Sequence, residues 1–196
     1  MTEAASSQPK KQLRHDMRAM RDALSQEQRD AAANDLAKVD IRKISIPDQS
    51  IIAGYYPIRS ECNPLPLMAK LEQQGHKLAL PKIIDENETL EFHSWLHASF
   101  VQKGKFSIPI PDDTAHKLTP DVVLLPLLAC DNAGNRLGYG KGYYDRTLNI
   151  LAQTRKIITI GLAFDCQKIE FVPNTHFDYA LDFILTPRGI EKTTKR

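Results

Sequence analysis

Over the first quarter of the chain, apolar residues fall at helical intervals. Leu13, Met17, Met20 and Leu24 mark one stripe of a helix that starts near Lys10. Beside it runs a basic stripe of Lys10, Arg14, Arg18 and Arg21. Ser25 and Gln28 have the form of a capping box, which opens a second helix with Ala32, Leu36 and Val39 facing inward. Pro47 and Asp48 mark a turn, and the period then changes. Residues 51–56, IIAGYY, are short, β-branched and aromatic, which predicts a buried strand ending at Pro57. Asn63 and Pro64 supply an N-cap and first-turn proline for a helix through Leu67, Met68 and Leu71, closed by Gly75.

Strands follow over 77–84 and 90–95, joined by the polar turn DENE, and the proline-rich GKFSIPIPDD reads as an extended connector. The most apolar run, VVLLPLLA at 122–129, predicts a central strand. Tyr144, Leu148 and Leu151 then suit a helix, with strands over 156–164 and 180–185. Such alternation predicts one three-layer α/β/α domain, Rossmann-like, with a largely parallel central sheet. Ligands of these sheets sit beyond the carboxyl ends of the strands, here the loops after Tyr56, Ala129 and Phe164. The polar ends, about 1–9 and 190–196, are expected to be flexible tails.

Composition narrows the classes. A chain of 196 residues, 42% hydrophobic and 26% charged, suits one domain with a real core. A formal charge of +2 argues against wholesale nucleic-acid or membrane binding and leaves anion attraction to local clusters. Cys62, Cys130 and Cys166 form no CxxC pair, so neither a disulfide scaffold nor a compact zinc site is expected. The start, MTEAASSQPKK, lacks a signal-peptide core, and no apolar run reaches membrane-spanning length. The expectation is a soluble cytoplasmic protein.

The chemistry concentrates in GNRLGYGKGYYD, residues 134–145. Glycines 138, 140 and 142 permit positive φ and let backbone N–H groups converge on an anion, while Arg136, Lys141 and a helix N-terminus add positive charge. Phosphate is the expected guest. The pattern is not a Walker A loop, because Asn135 stands where its first glycine belongs and Gly142 follows the lysine; nor is it GxGxxG. A plain glycine-rich turn with a solvated lysine is the competing reading. Asp145 is either a partner for the helix dipole or a ligand for Mg²⁺, with Asp165 and Asp178 as candidate second carboxylates. The basic stripe is either a solvated face or a phosphate clamp. Glu61 is either a surface acid or an acceptor for the N–H groups of a heterocycle. The histidines have no ligand-like spacing.

Taken together, these stretches resemble the 5-formyltetrahydrofolate cyclo-ligase family over nearly the whole chain. GNRLGYGKGYYDR carries most of the resemblance, supported by KKQLRHDMRAMRDALS, YYPIRSE and VPNTHFD. Two departures are LLPLLACDNAG, where a glycine and a Phe-Asp pair are commoner, and IPIP, which lacks a customary acid. Leu128 and Cys130 are thereby expected at an edge of the pocket.

The resemblance implies an enzyme that converts 5-formyltetrahydrofolate to 5,10-methenyltetrahydrofolate with ATP and Mg²⁺, acting as a monomer. It implies catalytic roles for Arg136, Lys141 and Tyr143. ATP would be bound by Lys10, Arg14 and the run Arg136, Leu137, Gly138, Tyr139, Gly140, Lys141, Gly142, Tyr143 and Tyr144. Tyr56, Glu61, Tyr139 and Tyr143 would bind folate, and Asp145 and Asp178 the metal. Arg18 and Arg21 are given no catalytic contact. The alternatives are an ATP-dependent ligase or kinase with another acceptor, and a non-catalytic folate- or nucleotide-binding protein.

Overall fold

A computed structural model describes residues 4–84, 89–96, 101–104, 109–112 and 114–195; the turn DENE and part of the proline-rich connector lie outside them. At the centre, β2 (Lys77–Ile83), β1 (Ile51–Ala53), β7 (Val122–Leu125), β10 (Ile158–Leu162) and β11 (Phe183–Thr186) lie side by side and parallel. Antiparallel strands finish both edges. On one side β3 (Leu90–Trp95) and β6 (Lys117–Leu118) follow β2, and on the other β12 (Gly189–Lys192) pairs with β11, making an eight-stranded sheet. Two separate ribbons pair β4 (Val101–Lys103) with β5 (Pro109–Pro111) and β8 (Ala129–Cys130) with β9 (Arg136–Leu137).

The helices are α1 (Ala4–Asp22), α2 (Gln26–Lys38), α3 (Leu65–Gln73) and α4 (Tyr143–Leu151). The strands' period of two distributes their side chains between two faces. Ile52, Leu80 and Leu124 pack in one core with Leu36 of α2 and Met68 of α3. Ala53, Ala79, Val123 and Leu125 join the opposite core with Leu148 of α4. Because β7 is flanked by parallel strands and covered on both faces, all four of its residues are buried, as its unbroken apolar run requires.

The capping box of α2 forms as expected: Gln28 N donates to Ser25 Oγ at 3.1 Å and Ser25 N to Gln28 Oε1 at 2.8 Å. Several boundaries move. Helix α1 begins at Ala4, a full turn and more before Lys10. Asn63 is not the N-cap of α3: Pro64 takes that place with no side-chain cap, the helix starts at Leu65, and Asn63 Oδ1 accepts from Leu65 N at 3.0 Å just ahead of it. Strand β1 stops at Ala53 and β7 at Leu125, where Pro126 has no N–H to extend the ladder. The chain after β7 therefore enters the β8–β9 ribbon before reaching the glycine loop. Residues expected in a flexible C-terminal tail instead complete β12, and Thr194 N donates to Asn132 O at 2.9 Å. Among the described residues, no helix is long and apolar enough to cross a membrane.

Candidate active site

Strand β1 lies between β2 and β7, so the chain leaves its neighbourhood toward both sides and opens a crevice beyond the strand ends. A cavity of about 620 Å³ occupies it. Tyr55, Tyr56 and Glu61 enter from the segment after β1, Pro126 from the end of β7, and residues 136–145 from the glycine loop. From the loop after Phe164, Asp178 lines the cavity, whereas Asp165 pairs with Arg188 at 3.1 Å, which removes it as a second metal carboxylate. Leu128 and Cys130 are fully buried in the cores and do not reach the cavity edge.

Helix α1 closes one wall. Its buried Met17 packs with Leu128, Leu137 and Val172, while Met20, expected to share that stripe, is 48% exposed. Docking through Met17 turns the adjacent basic stripe inward, and Lys10, Arg14, Arg18 and Arg21 all line the cavity. The stripe is therefore not a solvated face. Arg14 Nε donates to Gly138 O at 2.9 Å, and the guanidinium lies against Gly140, where an added Cβ would stand 3.4 Å from Arg14 Cζ. Gly140 and Gly142 adopt φ of 95° and 68°, conformations that side chains with a Cβ resist; Gly138 does not. Gly142 is also the left-handed residue from which α4 starts, with no side-chain cap on that helix. The open N-terminus of α4 thus faces the cavity with uncapped N–H donors.

Charges along this wall are arranged in pairs. Arg136, only 8% exposed, donates from Nη2 to Asp145 Oδ1 at 2.7 Å and lies over the Tyr144 ring at 5.6 Å. Its buried Nε has no hydrogen-bond partner. Asp145 Oδ1 also accepts from Tyr179 N at 3.2 Å, which brings the neighbouring Asp178 to the same corner. Asp178 Oδ2 accepts from Lys10 Nζ at 2.7 Å, Thr175 N at 2.7 Å and Thr175 Oγ1 at 3.0 Å. Burial alone would raise the Asp178 pKa, but Lys10 and Thr175 together hold it below the usual carboxylate value. Lys141 is exposed and has no ion-pair partner among the described residues. Tyr143 lines the cavity with Arg146 over its ring at 5.5 Å.

At the other end, Glu61 is 6% exposed. Its Oε2 accepts from Ile58 N at 2.9 Å, and Tyr139 lines the same cavity. Burial pushes its pKa up, opposed by Tyr139, Ile58 N and the charge of Arg21. It is no surface acid. Tyr139 and Tyr144 have pKa values raised by burial and by Glu61, so both remain neutral phenols. Sequence reasoning missed Arg21, which is 1% exposed and lies with its Cζ 5.6 Å from the Tyr139 ring. Arg18 is likewise over that ring at 5.9 Å. Their shared stripe with Lys10 and Arg14 was the available signal. Asp131 was also missed; it braces the loop by accepting from Asn135 N at 3.0 Å and Val172 N at 2.9 Å.

A family model, the 5-formyltetrahydrofolate cyclo-ligase family, matches residues 6–187. The chain belongs to this family. Among curated relatives, the 5-formyltetrahydrofolate cyclo-ligase of Haemophilus influenzae is 30% identical over 92% of this chain and 98% of its own length. That of Escherichia coli K12 is 31% identical over 71% of this chain and 79% of its own. The solved 5,10-methenyltetrahydrofolate synthetases of Aquifex aeolicus and Mycoplasma pneumoniae superpose with TM-scores of 0.76 and 0.70 at 27% and 26% identity. The first alignment covers 95% of this chain and 93% of that one, the second 91% and 98%. As a cyclo-ligase the chain is an ATP-using ligase of folate one-carbon chemistry.

Among the described residues, no group of three or more His, Cys, Asp or Glu side chains is arranged to hold a metal. Asp145 and Asp178 nevertheless share a corner, and among the described residues the hydrogen bonds of each fall on one carboxylate oxygen. That sparse set fits Mg²⁺, which takes one or two carboxylates together with substrate phosphates and water.

Proposed function

We propose that this cavity holds ATP along the glycine loop and 5-formyltetrahydrofolate against Glu61, and that ring closure to 5,10-methenyltetrahydrofolate takes place between them. The observation that carries this reading is that a cationic phosphate cradle and a buried carboxylate acceptor share one cavity.

A formamide carbonyl is a weak electrophile with a poor leaving group. Attack of the formyl oxygen on the γ-phosphorus, with ADP departing, converts it into a phosphate ester of an iminium carbon. N10 then adds to that carbon and loses its proton, and expulsion of phosphate leaves the methenyl cation. Phosphoryl transfer depends mainly on positioning and charge neutralisation, so no protein nucleophile is needed. Arg136 and Lys141 neutralise the transferring group. Lys10 and Arg14 reach the chain of phosphates from α1. Leu137, Gly138, Tyr139, Gly140, Gly142 and Tyr144 shape the nucleotide wall. Tyr56 and Tyr143 cover the folate and exclude water. Asp145 and Asp178 would hold Mg²⁺, which would supply further positive charge to neutralise the phosphates. A carboxylate offers about four acceptor positions, so Glu61 keeps some for the pterin's N–H groups beyond the one filled by Ile58.

The three free thiols suit a reducing cytoplasm. The test follows methenyl product by absorbance with purified protein, 5-formyltetrahydrofolate, ATP and Mg²⁺, omitting each in turn. Product is expected only with all present, and Lys141→Ala is expected to lower kcat about 10²-fold or more. Formylfolate-independent ADP release would indicate another acceptor; tight folate binding without ADP formation would indicate a binding protein.

A further inference from the structure

The loop that delivers Asp178 to the cavity, from Val172 to Tyr179, contains neither helix nor strand. Its course is therefore set by the groups to which it bonds. Four of those bonds run to the chain between Asp131 and Asn149, the stretch that includes the glycine loop. Val172 N donates to Asp131 Oδ2 at 2.9 Å and Asn174 Nδ2 to Asn135 Oδ1 at 2.5 Å. Asn149 Nδ2 donates to Phe177 O at 3.1 Å, and Tyr179 N to Asp145 Oδ1 at 3.2 Å.

Two of the four depend on Asp131. Its carboxylate is 2% exposed and accepts from Asn135 N at 3.0 Å, Asn135 Nδ2 at 2.9 Å and Val172 N. The last two donors share Oδ2, so one oxygen joins the turn ahead of Arg136 to the root of the Asp178 loop. Because this carboxylate accepts, the Asn135 amide must turn its NH₂ toward it. The amide oxygen is left to face Asn174 Nδ2. Val172 is wholly buried, so water cannot replace the acceptor of its N–H. A side chain that only filled this space would need none of these directed bonds.

We propose that Asp131 is a positioning residue for the nucleotide: through Val172 N and Asn135 it fixes the loop that presents Asp178 to the phosphates. The proposal rests on the reading of Asp178 as a carboxylate of the nucleotide site. Asp178 has other partners, but Thr175 belongs to the same loop and Lys10 ends a flexible side chain, so neither fixes where the carboxylate stands. Among the described residues, no hydrogen bond joins Asp131, Asn135 or Asn174 to the segment carrying Glu61. The effect of Asp131 therefore falls on the nucleotide rather than on folate.

The test titrates AMP-PNP, a non-hydrolysable ATP analogue, with Mg²⁺ into the unaltered enzyme, Asp131→Asn, Asn174→Ala, Asp178→Asn and both pairings with Asp178→Asn. Calorimetry gives the affinities, and the KM for 5-formyltetrahydrofolate is measured at saturating ATP. Asp131→Asn keeps the size but sets an NH₂ against at least one N–H donor. It is expected to weaken AMP-PNP about tenfold, with the formylfolate KM changed less than about threefold. Asn174→Ala should weaken AMP-PNP about threefold; its side chain is exposed, so it reads the same tie if Asp131→Asn does not fold. Since Asp131 acts through Asp178, either variant paired with Asp178→Asn should bind within about threefold of Asp178→Asn alone. Losses that multiply in the Asp131→Asn pairing would place its effect elsewhere, and an equal rise in formylfolate KM would show general loosening; either overturns the proposal. So does unchanged affinity in Asp131→Asn and Asn174→Ala while Asp178→Asn is weakened, a result that leaves Asp178 in its role. Unchanged affinity in Asp178→Asn removes the Asp178 reading and the proposal together.

Discussion

Each cation of the proposed phosphate cradle except Lys141 is already engaged with an oxygen of the protein. Lys10 holds Asp178 and Arg136 holds Asp145, which keeps like charges from repelling across the wall before a nucleotide arrives. The Lys10–Asp178 pair has a definite pH signature. Because the folded Asp178 pKa is depressed, its stabilisation is present above the unfolded aspartate value of about 3.9 and is lost as pH falls through the lower folded value. Lys10→Met should therefore lower urea stability at pH 7 by about 1 kcal/mol, the side chains being 13% and 25% exposed. The two proteins should converge once pH has fallen below the depressed folded pKa of Asp178. A constant difference across the whole range would show that the pair acts through packing rather than charge.

At the scale of elements, the site depends on how closely α3 sits on β1. A Cβ at Gly54 would fall 2.2 Å from Met68 Sδ, and Met68 is wholly buried, so it has no space into which to swing. Gly54→Ala should force α3 outward at a cost of about 1–3 kcal/mol and displace the segment carrying Tyr55 and Glu61. A lower melting temperature accompanied by a raised KM for formylfolate is the expected pair of results. Loss of stability with unchanged KM would mean that the segment after β1 is held independently of α3. Helix α1 behaves differently: its contribution is an angular one, since the depth at which Met17 docks decides whether the stripe from Lys10 to Arg21 faces water or the cavity.

Across the whole molecule, the C-terminal strand links the far edge of the sheet to the site. Thr193 Oγ1 donates to Leu181 O at 2.6 Å, Thr193 N to Asp182 O at 2.9 Å, and Thr194 N to Asn132 O at 2.9 Å. Asn132 lies in the β8–β9 turn, where Asp131 also braces Asn135 just ahead of Arg136. A chain ending at Arg188 should lose several kcal/mol through the exposed edge of β11 and these buried hydrogen bonds. Thermal denaturation and the KM for ATP should both worsen. Full activity in the shortened chain would show that the turn needs no support from β12.

By itself, the chain's pattern determined the kind of fold and the location of its chemistry. Short β-branched runs separated by helical periods specify parallel strands covered on both faces, because only that arrangement buries such runs completely. The glycines, Arg136 and Lys141 mark an anion site because backbone freedom and charge are local properties, readable from neighbours in sequence. Tertiary structure alone decided the rest. Pro126 ended β7 early and inserted a ribbon before the loop; Gly138 needed no positive φ; Asp165 turned to Arg188 and Asp178 to the cavity. Most of all, Arg21 changed from a residue on a basic stripe to a buried donor between Ser60 and Tyr139. The orientation of a helix about its axis, and the distant hydroxyls that it meets, arise from packing between elements, which the spacing of residues along one element does not contain.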